Sequence, residues 1–122
     1  MTEPYFFDSY ALIEVVMGNS NYLKYKGSKI VLTKLNLFEV YYSLIRQGYV
    51  DLAEIFLETY EVYVIDFDNQ TIKNAANFRL NYKKQNLSMT DCIGYVLAKK
   101  LNVKFLTGDK EFNDMENVEF VK

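Results

Sequence analysis

The sequence predicts an α/β fold, a three-layer α/β/α sandwich around a short, mainly parallel sheet of four or five strands. Short apolar segments alternate with longer amphipathic ones along all 122 residues. Strands that alternate with helices pair in parallel and are covered by helices on both faces. Half of the residues are hydrophobic and a quarter are charged, and no Pro-rich or Gly-rich stretch suggests a linker. We therefore expect a single domain over residues 1–122.

The first half of the chain contains two predicted strands, each followed by a helix. The strands are expected at 5–7 and 29–32, and the helices at 9–18 and from 34 to about 48. Gly18 and Gly48 stand where these helices would end, which is a usual place for glycine. Thr33 is a good N-cap for the second helix. The pattern thus predicts two strand–helix units in this half.

The second half continues the alternation. Helices are expected at 50–60, 69–84 and 88–102, and strands at 61–66, 103–107 and 118–121. Asp66 and Asp68 flank the turn before the polar helix at 69–84, and we interpret them as capping and solvating residues. In parallel sheets of this kind, ligands bind beyond the carboxyl ends of the strands. A functional site is therefore expected at that edge.

Four acidic residues are expected at the same edge. Asp8 directly follows the first strand, and Asp109 follows the strand at 103–107. Asp91 lies near the start of its helix, and helix starts also lie at this edge. Glu39 is the only charged residue in the apolar segment LNLFEVYYSLI, about two turns into its helix. A buried carboxylate is costly unless something pairs with it, so Glu39 is expected to face a cation site.

Each of these acids also has a purely structural interpretation. Asp91 and Ser88 match a capping box, which needs no further function. Asp8 and Asp109 are residue types that commonly end strands. Glu39 could instead accept hydrogen bonds from neighbouring hydroxyls, those of Tyr41, Tyr42 or Ser43. The residues alone therefore leave the choice between caps and a common site open.

If the four acids meet, their chemistry favours a metal. Clustered carboxylates repel one another unless a cation neutralises them. Oxygen ligands without His or Cys favour Mg²⁺ or Mn²⁺, and two such ions can promote phosphodiester hydrolysis. Ser9 and Thr107 stand beside the acids in sequence and are expected to orient them.

Composition excludes several other kinds of site. The chain has no His, which excludes a Ser-His-Asp triad, a His base and a His-ligated zinc. The single Cys92 cannot form an internal disulfide, which suits a reducing compartment. The first ten residues lack a signal-peptide pattern, and no apolar run is long enough to span a membrane. We therefore expect a cytoplasmic protein without membrane contact.

The charge of the chain gives a weaker indication. The formal net charge is -2, whereas a simple nucleic-acid-coating module is normally basic; a nuclease whose acids bind metal remains compatible with this charge. The helix at 69–84 carries four basic residues that form either an RNA-facing stripe or a solvated face. They are Lys73, Arg79, Lys83 and Lys84.

Three acidic blocks of this chain resemble, in order, those of PIN-domain ribonucleases, and most closely those of VapC-type toxins from toxin–antitoxin pairs. The blocks are FFDSYALIE, LNLFEVYYSL and MTDCIGYVLAKKLNVKFLTGDKEF. The last is the most specific, since an Asp opens a small-residue helix, an apolar strand follows, and T-x-D-x-x-F closes the block. The resemblance covers essentially the whole chain.

This resemblance implies a Mg²⁺- or Mn²⁺-dependent endoribonuclease. Asp8, Glu39, Asp91 and Asp109 match the family's acidic quartet one for one, and would hold the metal that acts on the RNA phosphate. The resemblance also implies a homodimer and a cognate antitoxin protein that covers the acidic groove. The chain departs from the family at Tyr10, where Thr or Ser is frequent.

Two other interpretations compete with this one. A phosphoacceptor receiver domain would place its phosphorylated Asp after the third strand, here Asp66, but it needs a Lys after the fifth strand, whereas Lys104 lies inside the fourth. A non-catalytic PIN-like module would hold RNA or a protein without cutting. The complete acidic quartet favours the nuclease over that module.

Overall fold

A computed structural model describes residues 3–122; Met1 and Thr2 lie outside the described residues, so a single domain over 1–122 stays a prediction. The sheet has four strands, β1 (Pro4–Phe7), β2 (Lys29–Val31), β3 (Lys104–Thr107) and β4 (Val118–Phe120). The helices are α1 (Ser9–Val16), α2 (Lys34–Arg46), α3 (Val50–Tyr60), α4 (Asn69–Asn81) and α5 (Met89–Lys100). Three short 3-10 helices lie at Ser20–Tyr25, Glu61–Tyr63 and Lys110–Phe112. Every helix in this part of the chain is too short or too polar to cross a membrane.

All strand pairs are parallel, and the order across the sheet is β2-β1-β3-β4. The two central strands are the most buried, and their side chains alternate between the faces. Phe7 and Leu106 pack in one buried cluster with residues of α1, α2 and α3. Phe6 and Phe105 pack in a second cluster with residues of α4 and α5. Helices therefore cover both faces, and the predicted three-layer α/β/α sandwich is confirmed.

The strand predicted at 61–66 is wrong. The 3-10 helix Glu61–Tyr63 follows α3 without a break, because the N–H of Glu61 still donates to Leu57 O. Only Val64 remains to pair, as an isolated parallel bridge with Leu32. This bridge lies beyond the end of β2 at Val31, so it does not extend into a ladder with that strand. Residues 61–65 include residue types that favour strands, but the first three of them are taken into the 3-10 helix that continues α3.

The helix boundaries follow their predicted caps. Gly18 and Gly48 have φ of 82° and 91°, in the left-handed region that glycine adopts without strain. Thr33 is the N-cap of α2, and its N–H donates to Asn36 Oδ1 at 3.0 Å. The helix α4 ends at Asn81, three residues earlier than predicted. Glycine conformation and a capping hydrogen bond thus mark the ends of α1 and both ends of α2.

Candidate metal centre

The turn that carries Asp109 lies beside the end of β1. Phe7 and Leu106 are register partners on the neighbouring parallel strands β1 and β3. The N–H of Asp8 then donates to Leu106 O at 3.2 Å. Asp109 follows two residues after β3, as N-cap of the 3-10 helix Lys110–Phe112. The two aspartates are thus brought to one edge, at the carboxyl ends of the two central strands.

Asp8 is a buried carboxyl group at the start of α1. It is 3% exposed, and its Oδ1 accepts a hydrogen bond from the N–H of Ala11 at 2.9 Å. Burial raises its pKa to about 8, the hydroxyl of Thr107 and the N–H of Ala11 lower it, and Asp91 and Asp109 raise it further. Without a cation, Asp8 therefore holds its proton up to neutral pH.

Asp91 is both a cap and a member of the acidic group. Its Oδ2 accepts from the N–H of Ser88 at 2.9 Å, and its own N–H donates to Ser88 Oγ at 3.1 Å, so the predicted capping box is confirmed. Burial raises the pKa of Asp91 to about 6, the bonds from Ser88 lower it, and Asp109 and Glu39 raise it. The cap uses only Oδ2 of the carboxylate. Capping the helix therefore does not exclude Asp91 from acting as a metal ligand.

Glu39 of α2 is held by a hydrogen bond from a residue of α1. Ser9 Oγ donates to Glu39 Oε1 at 2.6 Å, and Asn36 Nδ2 donates to Ser9 Oγ at 3.1 Å. Thr33 Oγ1 in turn donates to Asn36 Oδ1 at 2.9 Å. A chain of side chains therefore connects the N-cap of α2 to the half-buried Glu39. The alternative partner Tyr41 instead donates to Glu54.

Asn36 is the residue of this arrangement that sequence reasoning missed. It is 1% exposed and stands three residues after the N-cap of α2. A T-x-x-N pattern at a helix start was visible as a capping signal. Its second role, on Ser9 of another element, depends on α1 and α2 packing side by side. No local pattern contains that information.

Thr107 connects the two strand-end aspartates. It is fully buried, and its Oγ1 accepts from the N–H of Asp109 at 3.0 Å. Its hydroxyl also hydrogen-bonds Asp8 and lowers the pKa of that carboxyl. Asp109 Oδ1 is engaged in turn by the N–H of Glu111 at 3.0 Å. Both residues expected to orient the acids, Ser9 and Thr107, thus contact at least one of them.

The donor set fits a divalent cation in its chemistry. Asp109 raises the pKa of both Asp8 and Asp91, and Glu39 also raises the pKa of Asp91. The groups that lower these two pKa values most are hydrogen-bond donors and not cations, so the negative charge is left for an ion to balance. In the side-chain positions of residues 3–122, however, no group of three or more acidic or Cys side chains is arranged to hold a metal. The assignment of these four acids as a metal centre therefore stays a proposal.

The other acidic candidates lie outside this group. Asp68 is the N-cap of α4, as interpreted, and accepts from the N–H of Thr71 at 3.0 Å. Asp66 is exposed and follows an isolated bridge, not a strand. The receiver-domain alternative, which needs a strand-end phosphoacceptor at this position, thereby loses its structural basis.

Two of the four basic residues of the predicted stripe line an apolar groove of about 580 Å³. Arg79 and Lys83 stand along it, with Leu35 of α2 and Met89 at the start of α5 among the other lining residues. Lys73 and Lys84 are exposed and are not among the groove's residues. An RNA-facing stripe therefore stays a prediction.

Comparison with known proteins agrees with this architecture. A family model described as PIN domain matches residues 5–118. A toxin–antitoxin complex from Klebsiella pneumoniae contains a similar chain, with 18% identity, TM-score 0.73, and coverage of 94% of this chain and 95% of that one. VapBC2 from Rickettsia felis, bound to a DNA fragment from its promoter, gives 15% identity, TM-score 0.72 and 97% coverage of both chains.

PAE2754 from Pyrobaculum aerophilum is similar to the same extent, with 17% identity, TM-score 0.70, and coverage of 99% of this chain and 92% of that one. At such identities, the three structures establish the fold. No curated protein matches the sequence closely enough to be counted.

Proposed function

Because the chain belongs to the PIN domain family, we propose that it is a metal-dependent endoribonuclease that hydrolyses RNA phosphodiester bonds. The observation that carries this proposal concerns four acids. Asp8 and Asp109 follow the neighbouring strands β1 and β3, and Asp109 and Glu39 both raise the pKa of Asp91. Two of them have raised pKa values, of about 8 for Asp8 and about 6 for Asp91. Perturbed acids of this kind cluster at functional sites.

The proposed cofactor is Mg²⁺ or Mn²⁺, since the donors are oxygen atoms only. Four residues would hold it: Asp8, Glu39, Asp91 and Asp109. Such a cation, when bound, supplies Lewis-acid stabilisation of the charge that develops on the scissile phosphate. Divalent ions bind the charged form of a carboxyl group, so Asp8 would have to give up the proton that it holds at neutral pH in order to act as a ligand.

The surrounding residues orient the four carboxylates. Ser9 donates to one oxygen of Glu39, and Asn36 sets the direction of that hydroxyl. Thr107 contacts the Asp8 carboxyl and the backbone of Asp109. The capping box holds Asp91 at the first turn of α5. Rotamers held in this way favour a site whose geometry is set before substrate arrives.

We further propose that the protein is the toxin of a toxin–antitoxin pair, acting in the cytoplasm as a homodimer with a cognate antitoxin protein as its partner. Two of the structurally similar chains come from a toxin–antitoxin complex and from VapBC2. The helix α2 also presents an exposed, stacked aromatic pair, Phe38 and Tyr42, which are 70% and 51% exposed. Exposed apolar side chains in one patch are typical of protein interaction sites.

The testing experiment compares RNA cleavage by wild type, Asp91→Asn and Asp68→Asn, purified identically, in EDTA, Mg²⁺ or Mn²⁺. A pool of structured RNAs is the substrate. Both variants keep a side chain that caps a helix well, but only Asp91 belongs to the acidic group. We expect metal-dependent cleavage by wild type and Asp68→Asn, and none by Asp91→Asn. Equal cleavage by all three would mean that Asp91 is only a cap.

The alternative is a non-catalytic PIN-like module that binds RNA or a protein. The observation in its favour is that, within residues 3–122, no three Asp, Glu or Cys side chains are arranged to hold one metal ion. Retained RNA binding without cleavage, in either metal, would favour this alternative.

A further inference from the structure

Gly108 lies in the turn between β3 and Asp109, and it is enclosed from two sides. A Cβ atom at this position would lie 2.3 Å from Tyr10 Cε1 and 2.2 Å from the carbonyl oxygen of Val121. Both distances are far inside van der Waals contact. Its φ does not lie in the left-handed region, unlike that of Gly18 and Gly48. Position 108 therefore requires glycine for space and not for backbone conformation.

Tyr10 stands in the first turn of α1, two residues after Asp8. Its ring carbons Cε1 and Cζ are the atoms that would meet a side chain at position 108. The ring therefore lies between the segment that carries one strand-end aspartate and the segment that carries the other.

The same turn is also anchored to the C-terminal segment of the chain. The N–H of Val121 donates to Thr107 O at 2.9 Å, and the Val121 carbonyl accepts from the hydroxyl of the buried Tyr22 at 2.5 Å. Phe112, just after the turn, is fully buried. The turn is thus fixed to Val121 by its backbone, and the Tyr10 ring of α1 lies directly against Gly108 of this fixed turn.

We infer that the ring of Tyr10 is a spacer that sets the separation of Asp8 and Asp109, which makes Tyr10 a positioning residue for the metal centre. The inference rests on the proposed function, because it assigns the residue to that same site. The ring, and not the hydroxyl, carries the role, since the contacts with Gly108 are made by ring carbons.

The test is Mn²⁺ binding to wild type, Tyr10→Phe and Tyr10→Thr, measured by titration calorimetry at one pH, with Tm measured alongside. Tyr10→Phe keeps the ring and is expected to bind Mn²⁺ within about twofold of wild type. Tyr10→Thr removes the ring and is expected to bind about 10-fold or more weakly, the usual effect of losing a supporting residue around a metal. Gly108→Ala, which crowds the ring and the Val121 carbonyl together, is expected to weaken binding as well.

Tyr60→Thr is the matched control, since Tyr60 is a half-buried tyrosine of α3 stacked on Phe56. It is expected to lower Tm without changing Mn²⁺ affinity. Equal affinity of Tyr10→Thr and wild type would overturn the inference and leave Tyr10 as packing only. Equal weakening in Tyr10→Phe and Tyr10→Thr would overturn it too, because the hydroxyl would then be the working group.

Crystal structures of wild type and Tyr10→Thr separate this inference from the proposed function. If wild type binds no Mn²⁺, the metal proposal fails, but the spacer is still tested by the distance between the Asp8 and Asp109 carboxyl carbons. A change of about 0.5 Å or more, a displacement large enough to disturb a site, supports the spacer. An unchanged distance overturns it.

Discussion

Asp8 and Asp68 occupy the same local position and ionise in opposite ways. Each is the N-cap of a helix, and each accepts from the N–H three residues later, at 2.9 Å and 3.0 Å respectively. Burial raises the pKa of Asp8 to about 8. The hydrogen bonds from Thr71, together with Lys100, lower the pKa of Asp68 to about 2.

The difference lies in what surrounds each cap. Asp8 is buried between strands with Asp91 and Asp109 nearby, whereas Asp68 is exposed and has Lys100 Nζ at 3.3 Å. Identical capping geometry therefore says nothing about charge state. A capping acid on the surface is stable in its charged form. The same acid, when it is buried among other carboxyl groups, requires a proton or a nearby cation to balance its charge.

The largest expected contrast is in metal binding. Asp8→Asn should weaken Mn²⁺ binding by at least about 100-fold, because it removes a ligand where loss of a mere supporting residue already costs 10–100-fold. Asp68→Asn should leave it unchanged. Titration calorimetry with Mn²⁺ measures both. Similar affinities in the two variants would mean that Asp8, like Asp68, is only a cap.

A second comparison, between two glutamates that each accept a hydrogen bond from a hydroxyl, tests the role of Glu39. Glu39→Gln should weaken Mn²⁺ binding about 10-fold or more while the fold is kept, since Gln fills the same volume and can still accept from Ser9. Glu54→Gln is the control, because Glu54 also accepts from a hydroxyl, that of Tyr41, on an exposed surface. Circular dichroism and calorimetry together decide the outcome. Lower stability with unchanged affinity would make Glu39 a structural residue.

The pH dependence of the metal-free protein gives a smaller effect. Asp8 has a pKa of about 8 in the folded state and about 3.9 when unfolded, so between these values the folded state holds the extra proton. Stability is then lost as pH rises, and the free energy of unfolding in EDTA should fall by at least about 1 kcal/mol from pH 5 to pH 8.

Asp8→Asn provides the control for this titration. The decline that remains should come from Asp91, whose pKa of about 6 is raised less, and it should level off above that pH. Urea unfolding at each pH measures the curves. A wild-type stability that rises from pH 5 to pH 8 would contradict the burial of an uncompensated acid.

The smallest effect is expected at the surface cap. The carboxylate of Asp68 is favoured by its hydrogen bonds from Thr71, so the stability that it contributes is present above its unfolded pKa and is lost as pH falls towards about 2. Asp68→Ala should lower Tm slightly at pH 7 and by less at pH 2. A larger fall at the lower pH would show that the cap does not act through its charge.

The order of the elements and their caps could be predicted from the sequence. Gly18, Gly48 and the Ser88–Asp91 capping box mark helix ends through contacts within a few residues. The strand at 61–66 could not be excluded in this way. Its residue types favour a strand, and only the continuation of α3 into a 3-10 helix prevents one from forming. Likewise, the hydrogen bond from Asn36 to Ser9 joins two helices, and no pattern within a few residues of Asn36 predicts it.

The sequence by itself determined several of the helix ends, the alternation of short strands with helices, and that acids follow the strands at 5–7 and 103–107. It could do so because capping bonds and side-chain alternation act over a few residues. Only the tertiary structure decided which caps are buried together, which acid is protonated, and why position 108 must be glycine. These depend on desolvation and on contacts between segments far apart in the chain, as between Tyr10 and Val121 around Gly108.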